Sequence, residues 1–401
     1  MKLTNDERRL LEGAAGEGAA LAMKILVGIG EAFEAPRLVP ISRSHVALSN
    51  QEADLWFAEK LSNAGARCSI PPTVNPGFCL DFFSTHNMVP DEDAQLMERT
   101  ASAYKALGAR MNFSCTPYLF DNIPRQGEII SFSESSATPY VNSVWGARTN
   151  RESAQSALCA AVVGKVPEYG LLLTVNRRAT ARVVVKADLS DDFAYQQLGW
   201  AVPNKIGFRI PVLEGIPSDV SMEGLMNLGA QLNTAGAVPM YHIVGVTPEA
   251  PTLTAALQGQ EPEIEIEISQ EDLDAQVDKF SDEPGPIDFV MFGCPHHTIR
   301  QVQEVVDMVA GQKLKAELWI LTSSYTLEMA KRMGLLALIE GAGGHVIPDT
   351  CPDQPCWRHL ASKKGATDSP KCAYYTKRRG IQFVVRDLKT CVRAALKGSI
   401  E

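Results

Sequence analysis

The chain has 401 residues, of which 45% are hydrophobic and 21% charged, a globular composition with enough apolar mass for two or three lobes. Its formal charge is −9 and its Lys and Arg are scattered, so it has neither the basic stripe of a nucleic-acid groove nor a patch for anionic membrane. The most apolar early stretch, Ala19 to Gly30, carries Lys24 and is too short to span a bilayer, and the opening MKLTNDERR lacks the order of a signal peptide. We expect a cytoplasmic protein with no nucleic-acid and no membrane partner.

In chain order, Thr4 to Glu7 reads as a capping box, and the apolar spacing from Leu10 to Ile29 predicts a glycine-interrupted helix that ends by Pro36. Arg37 to Leu48 reads as a strand, Asn50 to Asn63 as a helix, Asp91 to Leu107 as another, and Arg110 to Phe113 as a short strand. Ser153 to Val163 is a helix of small residues, followed by strands at Leu171 to Val175 and Ala181 to Lys186. A short helix is expected over Asp191 to Leu198, a longer one over Met222 to Thr234, and extended chain over Val238 to Val246. Residues 247–263, rich in Pro, Glu and Gln, read as a surface connection.

From there the pattern is repeated βα. It gives strands at Ile264 to Ile268, Ile287 to Phe292, Glu317 to Thr322, His345 to Ile347 and Ile381 to Val385. Helices fall between them, and a last one runs from Leu388 to Leu396. This alternation predicts α/β architecture with mainly parallel sheets. We divide it into an N-terminal lobe over 1–246 and a C-terminal βα lobe over 264–401.

Nine cysteines in a chain without secretory signals point to buried thiols, a metal site or a nucleophile. Three of them share one context. Cys115 follows the strand expected at 110–113, Cys294 the one at 287–292, and Cys351 the one at 345–347. The carboxyl edge of an α/β sheet is where ligands bind. Cys294-Pro295 and Cys351-Pro352, with Pro117 two residues past Cys115, bend the chain away from each thiol. Three thiolates from distant loops suit an iron centre that keeps one position open as a Lewis acid. Paired Cys-x-x-Cys ligands of a closed zinc site are absent from the sequence. The competing reading is that free cysteines are small buried hydrophobes, which we prefer for Cys68, Cys79, Cys159 and Cys391. Cys356 is an alternative ligand, and Cys372 stays open. Cys294 with His296, His297, His345 and His359 offers a rival zinc site.

These residues carry a family resemblance. Phe113-Ser114-Cys115-Thr116-Pro117-Tyr118, the run Asn142 to Glu152, Phe292-Gly293-Cys294-Pro295-His296, Asp349-Thr350-Cys351 and the run Thr367 to Tyr375 resemble aconitase X, in the same order and across nearly all of 1–401. The resemblance implies a multi-lobed aconitase-like arrangement and a hydro-lyase that dehydrates a small hydroxy acid. It implies a metal centre, an iron–sulfur cluster or a mononuclear iron, held by Cys115, Cys294 and Cys351 at the carboxyl ends of strands. Family members act on cis-3-hydroxy-L-proline or, in archaea, on mevalonate 5-phosphate. The family also uses a small swivelling domain, on the same chain or on a separate subunit, whose serine is the base. The sequence closes one βα unit after Lys371, so we expect a large subunit that needs a small swivel-domain subunit, with no catalytic base of its own.

Dehydration also needs groups that hold the substrate carboxylate. Arg148 is the first candidate, with Asn142, Thr149 and Asn150 around it, against the alternative of an arginine paired at a helix start. Ser44 and His45 follow an apolar strand start and are read as facing the site, with a satisfied core histidine as the alternative for His45. Lys371 binds the substrate anion or is solvated; Arg177 and Arg178 read as a solvated pair. No glycine-rich phosphate loop is present, which favours the hydroxyproline substrate over the phosphorylated one. A zinc-stabilised, non-catalytic interaction subunit is the alternative outside enzymes.

Overall fold

The computed structural model describes residues 1–48, 52–86 and 88–401. Among these residues the sheets are three parallel ones and two short antiparallel ribbons. The C-terminal sheet has five parallel strands, ordered Gly344–Pro348, Glu317–Thr322, Phe289–Phe292, Lys364–Thr367, Gln382–Val385. The chain builds outward from Phe289–Phe292 on one side, then returns to the other side of the same strand. Order therefore reverses at Phe289–Phe292, and in an open α/β sheet that reversal opens a crevice at the carboxyl ends.

The middle sheet is also parallel, ordered His242–Ile243, Pro211–Glu214, Ala181–Val185, Ile264–Ile268. The strand Ile264–Ile268, which we expected to start the C-terminal lobe, pairs along its whole length with Ala181–Val185. The N-terminal sheet has three parallel strands, Thr73–Val74, Arg43–Val46 and Ile130–Phe132.

Local chemistry sets these elements. Ser153 caps the helix Ala154–Val163 by a reciprocal box with Ser156, and Thr298 caps Ile299–Val309 the same way with Gln301. Each box satisfies backbone N–H groups that the first turn would otherwise leave open, worth about 1 kcal/mol. The C-terminal core packs Val290, Phe292, Val302, Val306, Leu318 and Ile320 between sheet and helices.

Several expectations need correction. The N-terminal helix is two, Asn5–Leu11 and Glu17–Ala32, broken where Gly13 and Gly16 take φ near +95°. The strand expected at 37–48 is split into Leu38–Pro40 and Arg43–Val46. The helix expected from Asn50 is Glu52–Asn63, and Asn50 lies outside the described residues. No strand forms at 110–113: Arg110 makes one bridge to Thr73, and the Asn112 side chain takes the Val74 N–H at 3.0 Å that a strand carbonyl would accept. Leu171 to Val175 is a pair of 3₁₀ turns, Gly170–Leu172 and Thr174–Arg177, because the Leu171 N–H goes to Asn150 Oδ1. The helix expected to stop at Leu198 runs from Asp192 to Ile206. No helix among the described residues is long and apolar enough to cross a membrane.

Candidate functional site

Cys115, Cys294 and Cys351 line one cavity of about 180 Å³, together with Asn75, Glu134, Ser135, Ser136, His296, Asp353, Lys371, Tyr375 and Arg378. Cys294 follows the strand at which sheet order reverses, and Cys351 follows its neighbour's neighbour, Gly344–Pro348. Cys115 reaches the same place from a loop of the N-terminal region. Each loop carries a left-handed residue just before its thiol: Phe113 at φ 43°, Gly293 at φ 102° and Asp349 at φ 60°. Such a residue reverses the chain at a cost, and here it ends the extended run and turns the cysteine into the cavity. The N-terminal and C-terminal regions are sewn together beneath it, by Cys351 N–H to Gly77 O at 3.0 Å and Cys79 N–H to Thr350 Oγ1 at 3.0 Å.

Burial pushes the Cys294 thiol up to about 11, opposed chiefly by the Lys371 charge. Burial also raises Cys115, with Glu134 adding to it, and raises Cys351, with Cys294 adding to it. The chain supplies partial compensation: His296 N–H donates to Cys115 Sγ at 3.3 Å and Asp353 N–H to Cys351 Sγ at 3.4 Å. Backbone N–H groups aimed at sulfur stabilise the thiolate form that binds metal. Three thiols on one cavity wall, two of them already receiving N–H donors, have the donor chemistry of a thiolate-ligated iron–sulfur cluster. Among the described residues no three His, Cys, Asp or Glu side chains stand close enough together to hold one ion. The other six cysteines are off this cavity wall, Cys356 and Cys372 being fully buried.

The rival zinc set does not assemble. His296 Nε2 is committed to Thr350 O at 2.9 Å, His297 faces Asp368 at 3.6 Å, His345 stacks on Trp319, and His359 bonds Cys356 O at 3.0 Å. Burial holds His296 down to about 4, so it is neutral, and its Nδ1 has no partner among the described residues.

The substrate-binding candidates are divided by the structure. Lys371 is on the cavity, almost wholly buried. Its Nζ donates to Ser135 Oγ at 2.9 Å and Ser136 Oγ at 2.5 Å and faces Glu134 at 3.8 Å. Burial lowers its pKa, but the Glu134 carboxylate and Cys294 outweigh that and hold it above the usual lysine value. The solvated-lysine alternative is thereby set aside. Arg148, by contrast, lines a separate cavity of about 330 Å³ with Arg177, His242 and Glu249. Its guanidinium binds Leu172 O at 2.7 Å and Thr174 Oγ1 at 2.9 Å.

Asn142 spends all four of its hydrogen-bonding positions on protein groups: Thr149 N–H, Thr149 O, Pro239 O and Arg177. Thr149 ties Phe132 N–H to Asn150 O, and Asn150 ties Leu171 N–H to Tyr169 O. These residues hold loops together and do not reach the cysteines. Arg177, which we read as solvated, is wholly buried and paired with Glu249 at 2.5 Å. Ser44 is buried against Ala157 O. His45 is buried too, bonding Thr73 and, at 3.2 Å, the Asn75 that lines the cavity, so it supports the wall from behind.

Sequence reasoning passed over Glu134, Ser135 and Ser136. The run Ser133-Glu134-Ser135-Ser136 is a cap signature: Glu134 accepts the N–H groups of Ser136 at 2.5 Å and Ala137 at 2.6 Å at the start of the helix Ala137–Ser143.

Comparison with known proteins shows the family and the fold. Models of the aconitase X first, second and third domains match residues 1–175, 179–278 and 287–397. The chain belongs to the aconitase X family. It is 34% identical to the phosphomevalonate dehydratase large subunit of Thermococcus kodakarensis, over 98% of this chain and 100% of that one. It is 33% identical to the cis-3-hydroxy-L-proline dehydratase of Pseudomonas aeruginosa, over 98% of this chain and 69% of that one. The crystal structure of Thermococcus kodakaraensis aconitase X in its holo-form superposes with a TM-score of 0.90 at 32% identity, covering 98% of this chain and all of that chain. The three aconitase X segments each contain one of the parallel sheets, and the cysteine cavity lies between the first and the third.

Proposed function

We propose that the chain is the large subunit of an aconitase X-type dehydratase that removes water from a small hydroxy acid in the cysteine-lined cavity. The observation that carries this is the meeting of three thiols and one buried ammonium, Lys371, on a single cavity. An iron–sulfur cluster held by Cys115, Cys294 and Cys351, which are not gathered closely enough for a single ion, would supply an open Lewis-acid position when bound. The chain's own part is to bind and orient. Lys371 and Arg378 offer positive charge to a carboxylate. Glu134 and Asp353 balance them, and the buried His296 Nδ1 offers a lone pair to a substrate donor. A small swivel-domain subunit supplies the base, as the family resemblance implies.

The charge balance guides substrate choice. Two cations and two carboxylates on the wall suit a zwitterion of no net charge, so cis-3-hydroxy-L-proline is our first substrate. Mevalonate 5-phosphate would bring a carboxylate and a phosphate of about −1.5 to −2 charge at neutral pH. It is the second reading, favoured by the full-length match to phosphomevalonate dehydratase large subunits.

The test is purification with the cognate small subunit and assay on both acids. Turnover of hydroxyproline alone supports the first reading and turnover of the phosphate alone the second. Turnover of neither, with iron bound, refutes the dehydratase assignment.

A further inference from the structure

We propose that Ser136, polarised by Lys371, is the proton donor to the departing hydroxyl. The inference rests on the dehydratase reading above and assigns a step to this chain itself. It comes from the hydrogen-bond inventory of one buried cluster. An ammonium only donates, so the Ser135 and Ser136 oxygens must both accept from Lys371 Nζ, at 2.9 and 2.5 Å. Ser135 then gives its own hydrogen to Glu134 Oε1 at 3.1 Å. Ser136 gives its backbone N–H to Glu134 Oε2, but its hydroxyl hydrogen has no acceptor among the described residues.

Ser136 is 1% exposed and lines the cavity. A buried hydroxyl with an unspent hydrogen costs free energy unless a ligand accepts it. The charge beside it makes that hydrogen more acidic, because a neighbouring cation stabilises the oxyanion that its loss would leave. The cluster lines the same cavity as Cys115, Cys294 and Cys351. Glu134 fixes the geometry: its carboxylate is tied to two backbone N–H groups and faces Lys371.

In the step, the Ser136 O–H bond breaks and its proton joins the leaving hydroxyl. The substrate C–O bond breaks with its electron pair on that oxygen, and water departs. The base takes the α-proton, and the C–H electron pair becomes the second bond of the alkene. Lys371 Nζ, hydrogen-bonded to the Ser136 oxygen, returns a proton to it, and the proton taken by the base reaches Lys371 through solvent. Nothing is oxidised or reduced. Ser136 touches substrate; Lys371 and Glu134 are positioning residues.

The test uses the two-subunit holoenzyme and compares the hydroxy substrate with its chloro analogue, whose chloride leaves without a proton. Ser136→Ala is expected to lower kcat on the hydroxy acid by about a hundredfold or more with KM little changed, while kcat on the chloro analogue falls by no more than about threefold. Should Ser136→Ala fail to fold, the near-isosteric pair Ser136→Thr and Ser136→Val makes the same comparison. Thr should retain turnover of the hydroxy acid that Val loses. Equal losses on both substrates, or a raised KM with kcat intact, would overturn the proton-donor role. Wild-type holoenzyme inactive on both hydroxy acids would instead remove the dehydratase reading beneath it.

Discussion

Gly293 offers the sharpest test of how the fold builds the site. It sits at φ 102°, and a methyl group added there would meet Leu321 O at 2.1 Å. Leu321 belongs to the strand Glu317–Thr322, which pairs on both sides within the five-stranded sheet. That carbonyl cannot retreat without disturbing the ladder. Alanine at this φ costs about 1–3 kcal/mol in backbone strain, and forced overpacking adds about 1–3 kcal/mol. Gly293→Ala should therefore destabilise by about 2–6 kcal/mol. The strain is best relieved by moving residues 293–296, which carry Cys294 and the N–H bonded to Cys115. Urea unfolding and iron content, measured on the same preparation, test this. A variant within about 0.5 kcal/mol of wild type, in the range of neutral surface changes, with full iron, would refute the reasoning.

Burial holds His45 down to about 4 from an ordinary 6.5. Below pH 6.5 the unfolded chain takes up a proton that the folded one refuses until about pH 4, so stability falls across that window, by about 3 kcal/mol when complete. Unfolding measured at pH 7 and pH 4.5 should show a shallower loss for His45→Gln than for wild type; equal losses would contradict it. Arg177→Met leaves Glu249 and the Asn142 carbonyl without their partner, and should cost about 3 kcal/mol, the low end for a broken buried pair because Glu249 keeps some solvent. Iron content should stay unchanged, since that pair lies outside the cysteine cavity. Arg148→Ala should leave kcat and KM within about threefold, under 1 kcal/mol, whereas Lys371→Met should depress kcat/KM far more. Steady-state kinetics of the two-subunit enzyme distinguish them.

What the sequence disclosed was local. The capping box at Thr4 to Glu7 is a four-residue pattern, and it forms. The strands before Cys294 and Cys351 are short apolar runs, and both thiols emerge from their carboxyl ends. The strand before Cys115 misled because a side chain, Asn112, does what a strand carbonyl would do, and an apolar run does not reveal that. Arg148 misled for a different reason: its position follows from Leu172 and Thr174, in turns whose own path Asn150 sets. Lys371 meets Ser135 and Ser136 across more than two hundred residues of chain, so no local pattern marks those serines as part of a site. The helix Ala137–Ser143 that they introduce was hidden by Pro139 and by β-branched neighbours.

The central claim is that Cys115, Cys294 and Cys351 together hold the iron centre of a dehydratase. Metal content and an ultraviolet–visible spectrum, taken on anaerobically purified protein, test it most directly. Wild type and each Cys→Ser variant at these positions are compared with Cys372→Ser as a buried control. Iron with thiolate charge-transfer bands, lost at any of the three positions and kept in the control, is the predicted result. Zinc alone, or iron that survives Cys294→Ser, would contradict the account.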